Sequence, residues 1–184
     1  MNALEHQLND VIDEEVIRRG QSSANRKYGN SIAVLMGDIV FAQAIKKAIS
    51  LKQLHLSDDL CDLALIMSNS EIKQAEGISN REDYLKMIEG KTARFMSLCC
   101  DWGSRYSGGN ELAKKNLKAY GLCLGMVYQM RDDIHDQDHN AMKYLQQDDI
   151  DFFKDKGIKH LMALEDSIYR EHLLHLIEFA ARTA

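Results

Sequence analysis

Not one proline interrupts the 184 residues of this chain. Proline lacks the backbone N–H and clashes with the preceding turn, so it is the residue that most often ends a helix. A chain without it is free to run long helices end to end. Sustained alternation of β-branched and polar residues, the mark of a half-buried strand, is nowhere present. An all-α chain is therefore expected. Hydrophobic residues make up 45% of it, enough for a core, and charged residues 28%, an ordinary surface. The length suits one domain, so residues 1–184 are read as a single helical unit.

Several classes of function fall away. A formal net charge of −5 gives no reason to expect nucleic acid, which favours a basic face. No apolar run approaches the roughly 18 residues of a membrane span, so no transmembrane segment is expected. The N-terminus, MNALEHQLNDVIDEE, is acidic and has no signal-peptide core. Cys61, Cys99, Cys100 and Cys123 form no CxxC pair and are read as reduced thiols of a cytoplasmic protein.

Along the chain, Leu4, Leu8, Val11 and Ile12 recur at helical spacing. Asn9, Asp10 and Asp13 make a polar, metal-capable face there, followed by Arg18, Arg19 and the breaker Gly20. Residues 21–30 read as a polar loop or helix lead-in. Ser31–Ile49 reads as a helix apolar on most sides, hence central in a bundle. A further helix is expected from Ser57 to about Glu76. Asn80 can cap another that runs from Arg81 to about Tyr106. After a turn at Gly108–Gly109, Asn110 opens a long helix, whose Gly121 and Gly125 lie one turn apart and permit close helix approach. Residues 139–156 are polar and charged. Two short helices, about Ile158–Asp166 and Ser167–Arg182, are expected to close the chain.

The long helix carries YQMRDDIHD, Tyr128 to Asp136. Asp132 and Asp136 are four residues apart and share a face. Like charges at that spacing weaken a helix by roughly 0.2–0.5 kcal/mol. An oxygen-only face of this kind suits a hard cation such as Mg²⁺. A plain solvated acidic surface is the alternative reading. So is a redox di-metal site, because Asp132-x-x-His135 has the acidic–His spacing of such centres. Its matching pair is not visible on a second helix.

Taken together, the motifs resemble the trans-isoprenyl diphosphate synthases, or polyprenyl synthetases. DVIDEEVIRRGQ followed by KYGNSIAVLMGDIVFAQA is similar to the family's first aspartate-rich region and the helix after it. EGKTARF resembles its KT segment, and YGLCLGMVYQMRDDIHD its second aspartate-rich region. Order and spacing also match, over about residues 4–138. The resemblance implies an isoprenoid-synthase-type helical bundle, here lacking the first helices. It implies an enzyme that condenses isopentenyl diphosphate with an allylic diphosphate, using Mg²⁺. Asp10 and Asp13 would form the first metal face, and Asp132, Asp133 and Asp136 the second. Arg18 would bind the allylic diphosphate and Arg19 isopentenyl diphosphate. Lys91, Thr92 and Gln129 would hold the allylic diphosphate and flank the cation.

The chemistry behind such a constellation is direct. An allylic diphosphate that ionises leaves a carbocation and a highly charged leaving group. Metal ions held by carboxylates neutralise the leaving group, while Arg and Lys take its remaining oxygens. An apolar interior keeps water from the cation.

The sequence departs from the family pattern in three places. Asn9 stands where the family has its leading aspartate. The upstream helices with a Gly-Lys…Arg segment have no counterpart in residues 1–8. The basic, proline-containing loop after the second motif is missing, and Asp148–Asp149 lie there instead. Missing helices would leave Ser31–Ile49 uncovered, so a homo- or hetero-oligomer is expected. The alternative functional reading is a non-catalytic or regulatory subunit of a heteromeric synthase, or an inactive fragment. Leu4 and Glu5 occupy the region that limits product length in the family, and no product length follows from them.

Overall fold

The computed structural model describes residues 17–18, 21–146 and 148–182. Two compact units divide between Cys61 and Asp62. Each is taken by itself.

In the first unit, β1 (Ile17–Arg18) pairs antiparallel with β2 (Gln21–Ser22), Ile17 opposite Ser22. A short helix α1 (Ala24–Tyr28) follows, then α2 (Asn30–Ser50). The polar stretch 21–30, expected as a loop or lead-in, thus contains a strand and one turn and a half of helix. Gly29 separates the two helices with φ +83°, a conformation that residues with a Cβ rarely adopt. α1 packs on α2. Ala33, Gly37 and Ala48 of α2 are buried, whereas Ile32, Leu35, Ile39 and Ile49 are exposed. Burial on most sides, as expected from composition, is therefore not seen. A five-residue α1 cannot cover a 21-residue helix that is apolar around its circumference.

The second unit begins within α3 (Leu54–Glu76) and continues through α4 (Arg81–Ile88), a π turn (Glu89–Ala93), α5 (Arg94–Tyr106), α6 (Glu111–His135), α7 (His139–Tyr144), α8 (Asp149–Met162) and α9 (Ile168–Arg182). α6 is the axis: α5, α8, α9 and the π turn all pack on it. One core joins Tyr84, Met87, Ile88 and Ala93 to Met126, Val127 and Met130, with Ile150 and Ala181 beyond. A second joins Tyr120, Cys123, Leu161 and Ile177. Full burial of an aliphatic side chain such as Ile88, Val127 or Ile177 contributes about 1.5–3 kcal/mol. The Tyr120 hydroxyl, buried with its ring, donates to the Leu173 carbonyl at 2.7 Å.

Caps fix where the helices begin. Asn80 Oδ1 accepts from the Asp83 N–H at 2.9 Å and Asn110 Oδ1 from the Ala113 N–H at 2.8 Å, the expected starts of α4 and α6. Gly121 and Gly125 make the close approach expected of them. A Cβ on Gly121 would lie 2.6 Å from the Met96 carbonyl oxygen, and one on Gly125 2.4 Å from Ala93 Cα.

Two boundaries differ from expectation. α3 starts at Leu54, not Ser57. At the C-terminal end α8 covers 149–162, replacing the expected helix over 158–166. Its first turn carries Asp149 and Asp151, which favour the positive end of the helix dipole. Asp149 is buried, pairs with Arg81 and accepts from the Gln146 N–H at 2.8 Å. Gly157 then lets α8 pass close to α6 and α9, since a Cβ there would meet Ile177 Cδ1 at 2.4 Å and Cys123 Cβ at 3.1 Å. Among the described residues no helix is long and apolar enough to cross a membrane.

Candidate active site

The C-terminal end of α6, the π turn and the start of α4 meet around one run of hydrogen bonds. In the π turn the Arg94 N–H reaches back five residues to the Glu89 carbonyl, and the Arg94 and Glu89 side chains pair at 2.5 Å over the same interval. The widened turn carries Gly90, Lys91 and Thr92. π turns inside α-helices often mark functional sites. Gly90 is needed for close approach: its Cβ would fall 2.0 Å from Ser70 Oγ.

That approach brings α3 against Lys91. Lys91 Nζ donates to Gln74 Oε1 at 2.8 Å and lies 3.3 Å from Glu71 Oε1. Both ends of the ion pair are largely shielded, at 16% and 18% side-chain exposure, so the ammonium is held in place rather than waving in solvent. Next to it, the Thr92 hydroxyl donates to Gln129 Oε1 on α6. Gln129 is buried and donates through Nε2 to Asp133 Oδ1 at 2.7 Å. The Tyr84 hydroxyl donates to Asp133 Oδ2 at 2.7 Å. The order is thus Thr92 to Gln129 to Asp133, with Tyr84 closing the far end.

Electrostatics follow from this arrangement. Burial pushes the Asp133 carboxyl above its usual range, opposed by the hydrogen bonds from Gln129 and Tyr84 and by the Lys91 charge. Burial first, and then the Asp133 charge, raise the Tyr84 hydroxyl well above its ordinary value, so it stays a donor. Asp132 and Asp136, in contrast, are exposed. All three carboxylates sit in the last turn of α6 or at its C-cap, Asp136. There the dipole is negative, and each exposed acid is disfavoured by about 0.3–1 kcal/mol. A cation placed at this pole would be stabilising. Among the described residues no three His, Cys, Asp or Glu side chains already converge on a metal position. Asp132 and Asp136 nevertheless suit Mg²⁺, which takes one or two carboxylates and fills its shell from water and phosphate oxygens.

Of the candidate residues, Lys91, Thr92, Gln129 and Asp133 are brought together, and Asp132 and Asp136 lie beside them on the same helix end. Arg18 lies in β1, with its side chain outside the described residues, as are Asp10, Asp13 and Arg19 altogether. Sequence reasoning missed Tyr84, Glu71 and Gln74. Glu71 and Gln74 are spaced one helical turn apart, but nothing in the sequence alone directs that face at Lys91. Tyr84 looks like any core aromatic until its hydroxyl is seen on Asp133.

Residues 8–162 match the pattern of the polyprenyl synthetase family. The octaprenyl diphosphate synthase of Haemophilus influenzae is 31% identical over 136 residues, which is 72% of this chain and 41% of that protein. Component 2 of the heptaprenyl diphosphate synthase of Bacillus subtilis is 32% identical over 131 residues, 69% of this chain and 38% of that protein. The chain therefore spans about two fifths of the length of these relatives. Among solved structures, a decaprenyl diphosphate synthase from Rhodobacter capsulatus superposes with a TM-score of 0.87 at 22% identity, over all of this chain and 76% of that one. A polyprenyl synthase from Caulobacter crescentus superposes with a TM-score of 0.81 at 21% identity, over 99% and 77%. At those identities the likeness concerns the fold. Motif order, fold and family pattern agree, and this chain belongs to the polyprenyl synthetase family.

Proposed function

We propose that this chain carries the catalytic end of a trans-prenyltransferase that condenses isopentenyl diphosphate with an allylic diphosphate, and that it works with a partner subunit. The observation that carries the reading is the run Thr92, Gln129, Asp133 and Tyr84, with Lys91 anchored beside it. Lys91 offers its ammonium to diphosphate oxygens as a compact point charge. Gln74 and Glu71 of α3 hold its ammonium in place. Thr92 and Gln129 would offer a developing allylic cation the oxygen lone pairs that their mutual hydrogen bond leaves over. Asp133, gripped from both sides, locks the rotamer of Gln129. Asp132 and Asp136, with Asp10 and Asp13 from the first acidic segment, would hold Mg²⁺. When bound, that ion supplies charge to the departing diphosphate.

The test is turnover of labelled isopentenyl diphosphate with allylic substrates, by this chain together with candidate partner subunits. Prenyl product is expected, and Asp132→Ala should abolish it. No product with any partner and allylic substrate would end the proposal.

A second reading is a non-catalytic subunit. It is favoured by Asn9 in the first acidic segment. In that case an active partner keeps its rate when Asp132 is mutated, while product length or stability changes.

A further inference from the structure

A second charged site lies at the opposite end of the α5–α6 pair. A cavity of about 430 Å³ opens there, lined by Asp101 and Arg105 of α5 and by Glu111, Lys114, Lys115 and Lys118 of α6. The α6 residues are spaced i, i+3, i+4 and i+7, which is one helix face. Lys118 lies about 16 Å along the helix from Gln129.

Four cations face two carboxylates in this cavity, on a chain whose formal net charge is −5. Like charges at i, i+3 and i, i+4 repel, so the lysine face is unfavourable unless something negative sits against it. Asp101 supplies part of that. Its carboxylate, only 4% exposed, accepts from Arg105 Nε at 3.0 Å and Nη2 at 2.8 Å, and lies 3.6 Å from Lys118 Nζ. Glu111 accepts from Lys114 at 2.8 Å. Among the described residues lining the cavity, the two acids leave an excess of two positive charges. Because Asp101 ties Arg105 on α5 to Lys118 on α6, these cations are arranged before any ligand arrives, which lowers the ordering entropy of binding.

We propose that this cavity is an anion site for a phosphate dianion, separate from the prenyl-transfer centre and independent of the reading given to that centre. A dianion matches the excess charge. Lysines recognise phosphate as point charges, and the volume exceeds that of orthophosphate, leaving room for an esterified group. The phosphate comes either from solution or from a lipid headgroup at a membrane surface.

The experiment is thermal unfolding of the full chain in EDTA, titrated with inorganic phosphate against chloride at equal ionic strength. Phosphate should raise the melting temperature in a saturable way, by mass action on the folded state. Lys115→Glu should weaken the apparent affinity about tenfold or more, with Lys115→Gln between it and the parent. Lys91→Gln should leave the response intact, which separates this site from the prenyl-transfer centre. In a second arm, phosphatidylcholine vesicles with and without phosphatidate are sedimented with the protein. Capture by phosphatidate vesicles that Lys115→Glu abolishes, without a response to inorganic phosphate, assigns the site to a headgroup. No response in either arm, or a response that Lys115→Glu and Lys118→Gln leave unchanged, overturns the proposal.

Discussion

Gly125→Ala is the sharpest test of how α6 is seated. The added Cβ would stand 2.4 Å from Ala93 Cα, 3.1 Å from Ala93 Cβ and 3.2 Å from Ala93 N. These atoms are backbone or fixed to it, so no side chain can swing aside. Restoring an ordinary contact of 3.4 Å or more needs about 1 Å of separation between α6 and the π turn. Overpacking of this kind costs about 1–3 kcal/mol. Alanine recovers about 1 kcal/mol through helix propensity. Because the contact is with backbone, the upper part of the overpacking range applies, and a net loss of about 1–2 kcal/mol is expected. With a urea m-value of about 2 kcal/mol/M, the unfolding midpoint should fall by about 0.5–1 M. Gly103 supplies the control. It is an exposed glycine within α5, and a Cβ there meets no atom of the described residues within 4 Å. Gly103→Ala should stabilise by about 0.4–1 kcal/mol. Equilibrium urea unfolding followed by far-ultraviolet circular dichroism measures both. The reasoning fails if Gly125→Ala is as stable as Gly103→Ala. Since Gln129 lies one turn beyond Gly125, the same variant should also loosen the Thr92–Gln129 hydrogen bond and reduce any prenyl transfer.

Two other outcomes follow from the same structure. Asn80→Ala should lower stability by about 0.5–2 kcal/mol, because it removes the acceptor for the Asp83 N–H at the start of the helix that carries Tyr84, while Asn80→Asp retains the cap; urea unfolding checks both. His160, paired through Nδ1 with Asn116 Oδ1 at 3.0 Å, has its pKa lowered by burial first and then by Lys156, Lys159 and Lys115. The unfolded chain therefore takes up the proton before the folded one does. Stability from this group is fully present above the ordinary histidine value of about 6.5 and declines as pH falls below it; His160→Gln should flatten that part of the pH–stability curve.

The two ends of the α5–α6 pair show the same device used with opposite sign. At one end carboxylates crowd the negative pole of α6, and at the other lysines stack along one face. Neither is favourable for the helix alone. In both places an acid with tight partners, the partly buried Asp133 or the buried Asp101, holds neighbouring side chains in position. Charge of one sign gathered against local stability is what a site for a ligand of the other sign requires.

Helical class, the starts of α4 and α6, the close-approach glycines and the family were all legible in the residues themselves. Each rests on a local signal or a spaced motif: absence of proline, an asparagine cap, a glycine pair one turn apart, the order KT then DDxxD. The start of α8 was not legible, because Asp149 acts there through Arg81, 68 residues away, and Gly157 serves a three-helix contact that no window of sequence contains. The anchoring of Lys91 by α3 and of Asp133 by Tyr84 was hidden for the same reason. Helix propensity and motif spacing are properties of neighbours along the chain. Which carboxylate turns inward to be gripped and which stays exposed is decided only when separate helices pack.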